Sequence, residues 1–224
     1  IVECAVYEDG RRRPGNAELR DAVGAVREPG AFAWIDLREP TAAELGSLAD
    51  EFGLHPLAVE DAVVAHERPK LERYGDVAFL VLRTACYDDG AEEVRFGEVM
   101  LFAGERFVIT VAHGEGADVA AVRRRVDRAP GGLPGGPADA VHAVLDAVVD
   151  GYEPVIRGLQ GDIDEVEEAL FAEGPGHPTL RIYKLGREVL ELSRAVRPLV
   201  EPAHALAEAT PLPGAGDEGR AYFR

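Results

Sequence analysis

The sequence contains little cysteine and no long apolar segment. Its two cysteines, Cys4 and Cys86, are far apart and form no C-x-x-C pair. This spacing gives no support to a zinc site and favours a reducing compartment. The longest uninterrupted apolar runs are only a few residues, so no segment is predicted to span a bilayer. No secretory signal pattern opens the sequence, and we expect a bacterial cytosolic location.

Positive charge is also scarce. The chain of 224 residues has a formal net charge of −17, with 24 Lys and Arg against 41 Asp and Glu. Such a balance argues against nucleic-acid binding and against adhesion to an anionic membrane. The acidity is localised, because residues 138–173 contain ten acidic residues and a single basic one, Arg157.

The first 130 residues alternate between strand and helix patterns, which predicts an α/β (α+β) unit built on a mixed sheet. A capping box at Thr41 and Glu44 predicts one helix start, and the dipeptide His55-Pro56 predicts another. Short turns favour antiparallel pairing of the last three strands. The predicted strands are 2–7, 31–37, 77–87, 94–102 and 107–112, and a further helix is predicted over 117–128.

A Gly- and Pro-rich segment at 131–137 predicts a boundary between two subdomains. Beyond it, apolar residues recur at spacings of three and four, which predicts two long helices packed as an antiparallel hairpin. Pro154 lies inside the first of these helices, so we expect a kink there or a position that tolerates the lost hydrogen bond. The predicted division is 1–130, the linker 131–137, an acidic helical hairpin at 138–209, and a loop with the start of a truncated stalk helix at 210–224.

The segment 53–74 carries the adjacent carboxylates Glu60 and Asp61 inside an otherwise apolar helix. Carboxylates in apolar surroundings cost free energy unless they find a cation or hydrogen-bond donors. A metal ion is one candidate partner. A local cap or a salt bridge with Arg68 or Lys70 is the other.

A second acidic pattern follows the linker. Asp146, Asp150 and Glu153 have spacings that place them along one helix face. On spacing alone, a solvated helix face explains this stripe.

Five motifs occur in an order that resembles the cytoplasmic N-terminal domain of the CorA family of magnesium and cobalt transporters. The resemblance covers essentially the whole chain, and the zinc-transporting ZntB branch shares the same architecture. The motifs are HPLAVEDA at 55–62, HERPKLERY at 66–74, FVITV at 107–111, VLDAVVDGY at 144–152 and REVLELSRAVRPL at 187–199.

The resemblance implies an αβα-layered mixed sheet followed by long helices. It also implies that the chain is the cytoplasmic part of a membrane protein and does not include the transmembrane pore. It implies a divalent-cation-sensing role at the cytoplasmic face of the inner membrane, in a homo-pentamer. The expected ion is Mg²⁺, or Co²⁺, and Zn²⁺ if the chain is ZntB-like. A scaffold that oligomerises without sensing ions is a further alternative.

The resemblance also implies metal ligands. Asp61 is expected to bind one ion between subunits, and Glu60 with Asp146 to serve a second. The partner carboxylate of Asp61 is expected directly after Arg224, so the sites should be incomplete in this chain.

No catalytic function is predicted. Paired carboxylates suit metal-dependent hydrolysis. The sequence, however, has no phosphate-binding glycine loop, no G-x-S-x-G motif and no His–carboxylate metal motif. We therefore expect that the chain is not an enzyme.

Overall fold

The computed structural model describes residues 3–15, 17–116, 118–171, 179–208 and 212–213. Within these ranges the chain forms one seven-stranded sheet with helices on both faces. The strands are β1 Glu3–Glu8, β2 Arg11–Arg12, β3 Ala31–Arg38, β4 Lys70–Tyr74, β5 Val77–Asp88, β6 Glu93–Ala103 and β7 Phe107–Gly114. The helices are α1 Leu19–Ala25, α2 Ala42–Phe52, α3 Pro56–Val64, α4 Val119–Arg128, α5 Pro137–Asp150, α6 Tyr152–Phe171, α7 Thr179–Val196 and α8 Val200–Glu208, with a 3₁₀ turn at Arg197–Leu199.

The strand order is β2-β1-β3-β7-β6-β5-β4. Only β3 and β7 pair in parallel, and the other neighbours pair in antiparallel fashion, so the sheet is mixed as predicted. The antiparallel arrangement of β5, β6 and β7 follows from the short turns between them.

Side chains alternate between two cores, one on each face of the sheet. Trp34 and Val108 face the core that contains α4 to α7, whereas Ile35 and Ile109 face the core that contains α2 and α3. The result is the three-layered α/β/α arrangement that the family resemblance implies.

The sequence patterns missed three elements. The two-residue strand β2 and the seven-residue helix α1 are too short for periodicity to reveal them. Strand β4 is rich in charge because it is the edge strand of the sheet and none of its side chains is fully buried.

The acidic helices are less continuous than the spacing predicts. Helix α5 ends at Asp150 and α6 starts at Tyr152, so the chain breaks at Gly151 instead of kinking within a helix at Pro154. Pro154 has no N–H for the carbonyl of Asp150, and in the first turn of α6 that loss costs little. In the same way Pro198 lies in the 3₁₀ turn that separates α7 from α8.

The Gly- and Pro-rich segment 131–137 is packed against the domain. Leu133 is buried, and its backbone N–H donates to the carbonyl of Gly10 at 2.8 Å. Gly10 has φ +78, and a Cβ there would lie 2.8 Å from the backbone of Leu133. Side chains before and after the segment share one core, and the subdomain boundary stays a prediction. The predicted connection at 174–178 and the stalk start at 214–224 lie outside the described residues.

Candidate metal site on helix α3

Helix α3 begins and ends with side-chain and backbone features that its sequence dictates. His55 caps it, with Nδ1 accepting from the N–H of Leu57 at 3.3 Å, and Pro56 occupies the first helical position. The helix ends because Ala65 and His66 both have positive φ, at 59° and 67°. Left-handed backbone at two consecutive residues other than glycine cannot continue a right-handed helix.

Asp61 forms an ion pair with a side chain that follows this reversal. Its Oδ2 lies 2.7 Å from Lys70 Nζ, and both side chains are about one quarter exposed. Lys70 also lies 3.4 Å from Glu67 and 3.3 Å from Glu72, so three carboxylates surround one ammonium group. Partial burial lowers the pKa of Lys70, but hydrogen bonds to Asp61 and Glu72 outweigh it and raise that pKa. In the described chain, Lys70 is therefore the cation that forms a salt bridge with Asp61.

Glu60 has a different environment. Its side chain is exposed and, within the described residues, makes no hydrogen bond or ion pair. It lines a groove of about 520 Å³ between α2 and α3, whose walls include Ala49, Val59 and Val63. Glu60 is thus a free carboxylate at the rim of an apolar groove, one residue from Asp61.

Two further contacts fix the segment that follows α3. His113, near the end of β7, donates from Nε2 to the carbonyl of Ala62 at 2.9 Å. Glu98 is 3% exposed, accepts from the backbone N–H of Glu67 at 3.2 Å and pairs with Arg83. These bonds hold the positive-φ turn in place, and with it the position of Lys70.

Asp146 lies on α5, which covers the opposite face of the sheet from α3. Its carboxylate is exposed and lies 3.1 Å from Arg125 of α4. The same arginine lies 3.9 Å from Asp150. Among the described residues, Asp146 and the Glu60–Asp61 pair are not brought together into a group of three metal ligands.

One cluster of acidic side chains in the described chain brings together residues that are far apart in the sequence. Ligand atoms of Glu92, Asp162 and Glu165 lie within 4.8 Å of one another. Arg181 fills this cluster, at 3.0 Å from Glu92 and 3.6 Å from Asp162. Sequence analysis identified acids on α6 but had no signal for Glu92, which reaches them from the turn between β5 and β6.

A comparison with protein families identifies the family of the chain. Residues 29–224 match the model of a family described as CorA-like Mg²⁺ transporter protein. The chain belongs to this family. The family is one of ion transporters and not of enzymes.

Curated relatives in this CorA-like family are longer than the chain. A Bacillus subtilis relative is 31% identical over 178 residues, which cover 79% of this chain and 54% of that protein. The cobalt/magnesium transport protein CorA of Thermotoga maritima is 28% identical over 206 residues, covering 91% of this chain and 58% of that protein. The chain thus spans somewhat more than half the length of these relatives.

Two solved structures share the fold. The soluble domain of CorA from Methanocaldococcus jannaschii matches with a TM-score of 0.74 at 15% identity, covering 100% of this chain and 86% of that one. The cytoplasmic domain of ZntB from Vibrio parahaemolyticus matches with a TM-score of 0.65 at 12% identity, covering 92% of this chain and 79% of that one. At these identities the likeness concerns the fold alone. Within the described residues, no helix has the length and apolar character needed to cross a membrane.

Proposed function

We propose that this CorA-family chain is a regulatory domain that senses Mg²⁺, or Co²⁺, at the cytoplasmic face of the membrane for a transporter. The observation that carries the proposal is the exposed Glu60 beside the partly exposed Asp61 on α3. Two adjacent carboxylates at the surface, in a family of CorA-like Mg²⁺ transporters, supply the oxygen ligands that Mg²⁺ prefers.

The geometry supports a site that is shared between copies of the chain. Asp61 and Glu60 lie on one face of the sheet, and Asp146 lies on a helix of the other. One or two carboxylates per chain suit an ion that keeps most of its waters and is released as its concentration falls. We therefore propose that Asp61, Glu60 and Asp146 act as ligands across the interfaces of a homo-pentamer.

The donor set favours Mg²⁺ over Zn²⁺. Structural zinc sites are dominated by cysteine and histidine. Asp61 is paired with the ammonium of Lys70, and the other groups within 4 Å of that ammonium are the carboxylates of Glu67 and Glu72. Cys4 is buried in the core on the α2–α3 side. This chemistry makes the ZntB-like alternative the second candidate.

The test compares the thermal unfolding of the chain in MgCl₂ and in KCl at equal ionic strength, followed by circular dichroism. Binding to the native state raises the melting temperature by mass action. We expect Mg²⁺ to stabilise the wild type and the control Asp89→Asn, which removes an exposed aspartate from the β5–β6 turn. Asp61→Asn should lose the share of this stabilisation that the ion at Asp61 provides.

Two results would contradict the proposal. If MgCl₂ and KCl give the same melting temperature, both for this chain and for one extended past Arg224, the scaffold alternative is favoured. If ZnCl₂ stabilises the wild type at concentrations where MgCl₂ does not, the ZntB-like alternative is favoured. Light scattering during size-exclusion chromatography, with and without Mg²⁺, tests the homo-pentamer.

A further inference from the structure

Lys70 occupies a position that a cation bound to Asp61 has to share. Its ammonium nitrogen lies 2.7 Å from Asp61 Oδ2, which is the distance of a charge-assisted hydrogen bond. The two other carboxylates around it, Glu67 and Glu72, lie 3.4 and 3.3 Å away. In the described chain, the charge of Asp61 is balanced by a cation that is covalently attached to the same chain.

The sheet holds this lysine in place. Lys70 is the first residue of β4 and pairs with Val81 of β5, so its backbone position is fixed by the strand register. Its Nζ lies 5.8 Å from the centre of the Phe79 ring. Glu72 is held in turn by the hydroxyl of Tyr74, which donates to it at 2.9 Å.

We propose that Lys70 is a tethered competitor of the divalent cation: the ion binds Asp61 only as the ammonium group moves off that carboxylate. This inference rests on the proposed function of Asp61 as a ligand. It adds a residue that sets the affinity of the site without touching the ion.

The exchange is inexpensive because Lys70 keeps partners after leaving Asp61. Glu67 and Glu72 already lie within 4 Å of Nζ, so a change of side-chain rotamer preserves two of three ion pairs. The side chain is about one quarter exposed, so water reaches the ammonium during the movement. While no ion is bound, Lys70 neutralises Asp61 and stabilises the end of α3. When an ion is bound, the nearby positive charge weakens its binding.

The chain is well suited to a direct observation of this movement. Lys70 and Lys184 are its only lysines, and Lys184 is exposed on α7. NMR spectra of the chain labelled with ¹³C at lysine Cε should therefore show two lysine signals, which Lys184→Met assigns. In a MgCl₂ titration balanced with KCl, we expect the Lys70 signal to shift and the Lys184 signal to stay. In Asp61→Asn the Lys70 signal should no longer respond to Mg²⁺.

The affinity of the variants for Mg²⁺ is the second measurement. Lys70→Met removes the ammonium and keeps an unbranched side chain, and Lys184→Met removes the same charge at a distant surface. We expect Lys70→Met to bind Mg²⁺ about two- to fivefold more tightly than wild type, the factor of one partly exposed ion pair. Lys184→Met and Lys70→Arg should bind as wild type does. If Lys70→Met does not fold, Lys70→Gln replaces it.

The outcomes separate this inference from the proposed function. If Asp61→Asn weakens Mg²⁺ binding but Lys70→Met binds with wild-type affinity, the competitor role is wrong and the site stands. If Asp61→Asn binds Mg²⁺ as wild type does, or no variant binds it, both are wrong. A gain in affinity for Lys184→Met equal to that for Lys70→Met also refutes the inference, because it reduces the effect to net charge.

Discussion

Replacing Arg123 should destabilise the fold more than any surface charge does. Arg123 on α4 is 0% exposed and Asp36 on β3 is 5% exposed, and their nearest atoms are 2.6 Å apart. The guanidinium lies over the Trp34 ring, 4.9 Å from its centre, and Thr110 donates a hydrogen bond to Asp36. The guanidinium nitrogens make no aligned hydrogen bond, so the carboxylate is the main compensation for this buried charge.

The magnitude follows from what each substitution leaves behind. Arg123→Met fills similar space but leaves Asp36 as a buried charge without its cation, which costs about 3–5 kcal/mol of unfolding free energy. Adding Asp36→Leu removes the stranded charge, and replacement of a whole buried pair by apolar residues is often close to neutral. The double variant should therefore recover most of the loss. The control Arg124→Met removes the exposed neighbour and should change stability by less than about 1 kcal/mol.

The loss should also depend on pH with a defined sign. Burial raises the pKa of Asp36 above its ordinary value, although Arg123 and Thr110 oppose this, and removal of Arg123 raises the pKa further. An acid whose pKa is higher in the folded state favours folding when protonated. That contribution is present below the unfolded pKa and is lost as the pH rises through the folded pKa. The deficit of Arg123→Met should thus be largest at neutral pH and shrink on acidification.

Urea unfolding followed by the fluorescence of Trp34, the single tryptophan, measures both effects. A loss below about 1 kcal/mol at neutral pH would place the pair among exposed ion pairs and refute the reasoning. A deficit that stays constant from neutral to acidic pH would show that lost packing, and not the stranded carboxylate, is the cause.

Two other predictions concern local features. Gly158→Ala places a Cβ 2.3 Å from the Tyr87 ring, and such overpacking should lower the unfolding free energy by about 1–3 kcal/mol. Gly161→Ala on the same helix meets no neighbour and should stabilise the protein. Urea unfolding that ranks the two variants the other way would contradict the packing of α6. Backbone and side-chain hydrogen bonds from Thr41 lower the pKa of Glu44 from 4.5 to about 2, so its stabilising effect should be present above pH 4.5 and be lost as the pH falls through about 2. Thr41→Ala keeps the backbone donor, so it should raise the pKa of Glu44 only part of the way back to 4.5. NMR titration of the carboxyl carbon measures this pKa. An unchanged pKa would exclude the hydroxyl of Thr41 as a cause.

The sequence predicted the fold wherever local patterns coincide with tertiary burial. The capping box at Thr41 and the His55-Pro56 start both mark true helix starts, since their hydrogen bonds are formed within one turn. The long strands β5 and β6 were recognisable because most of their residues are buried and apolar. Strand β4 escaped notice because an edge strand in this sheet tolerates alternating charges.

Only those contacts of the site that join residues close together in the sequence were predictable. Lys70 was a foreseeable partner of Asp61 because it lies only nine residues further along the chain. Arg125 was not foreseeable as the partner of Asp146, since that contact depends on how α4 packs against α5. Whether Asp61, Glu60 and Asp146 bind a metal ion stays a prediction.

The arginine-filled cluster of α7 has a consequence for the evolution of this domain. Arg181 joins Glu92 of the β5–β6 turn to Asp162 and Glu165 of α6, so one cation serves three anions on two separate parts of the chain. Loss of the arginine alone would leave those anions repelling one another within 4.8 Å. Substitutions at the four positions are therefore expected to be coupled in their effect on stability. Descendants that lose the arginine are expected to lose acids with it, or to recruit another cation in its place.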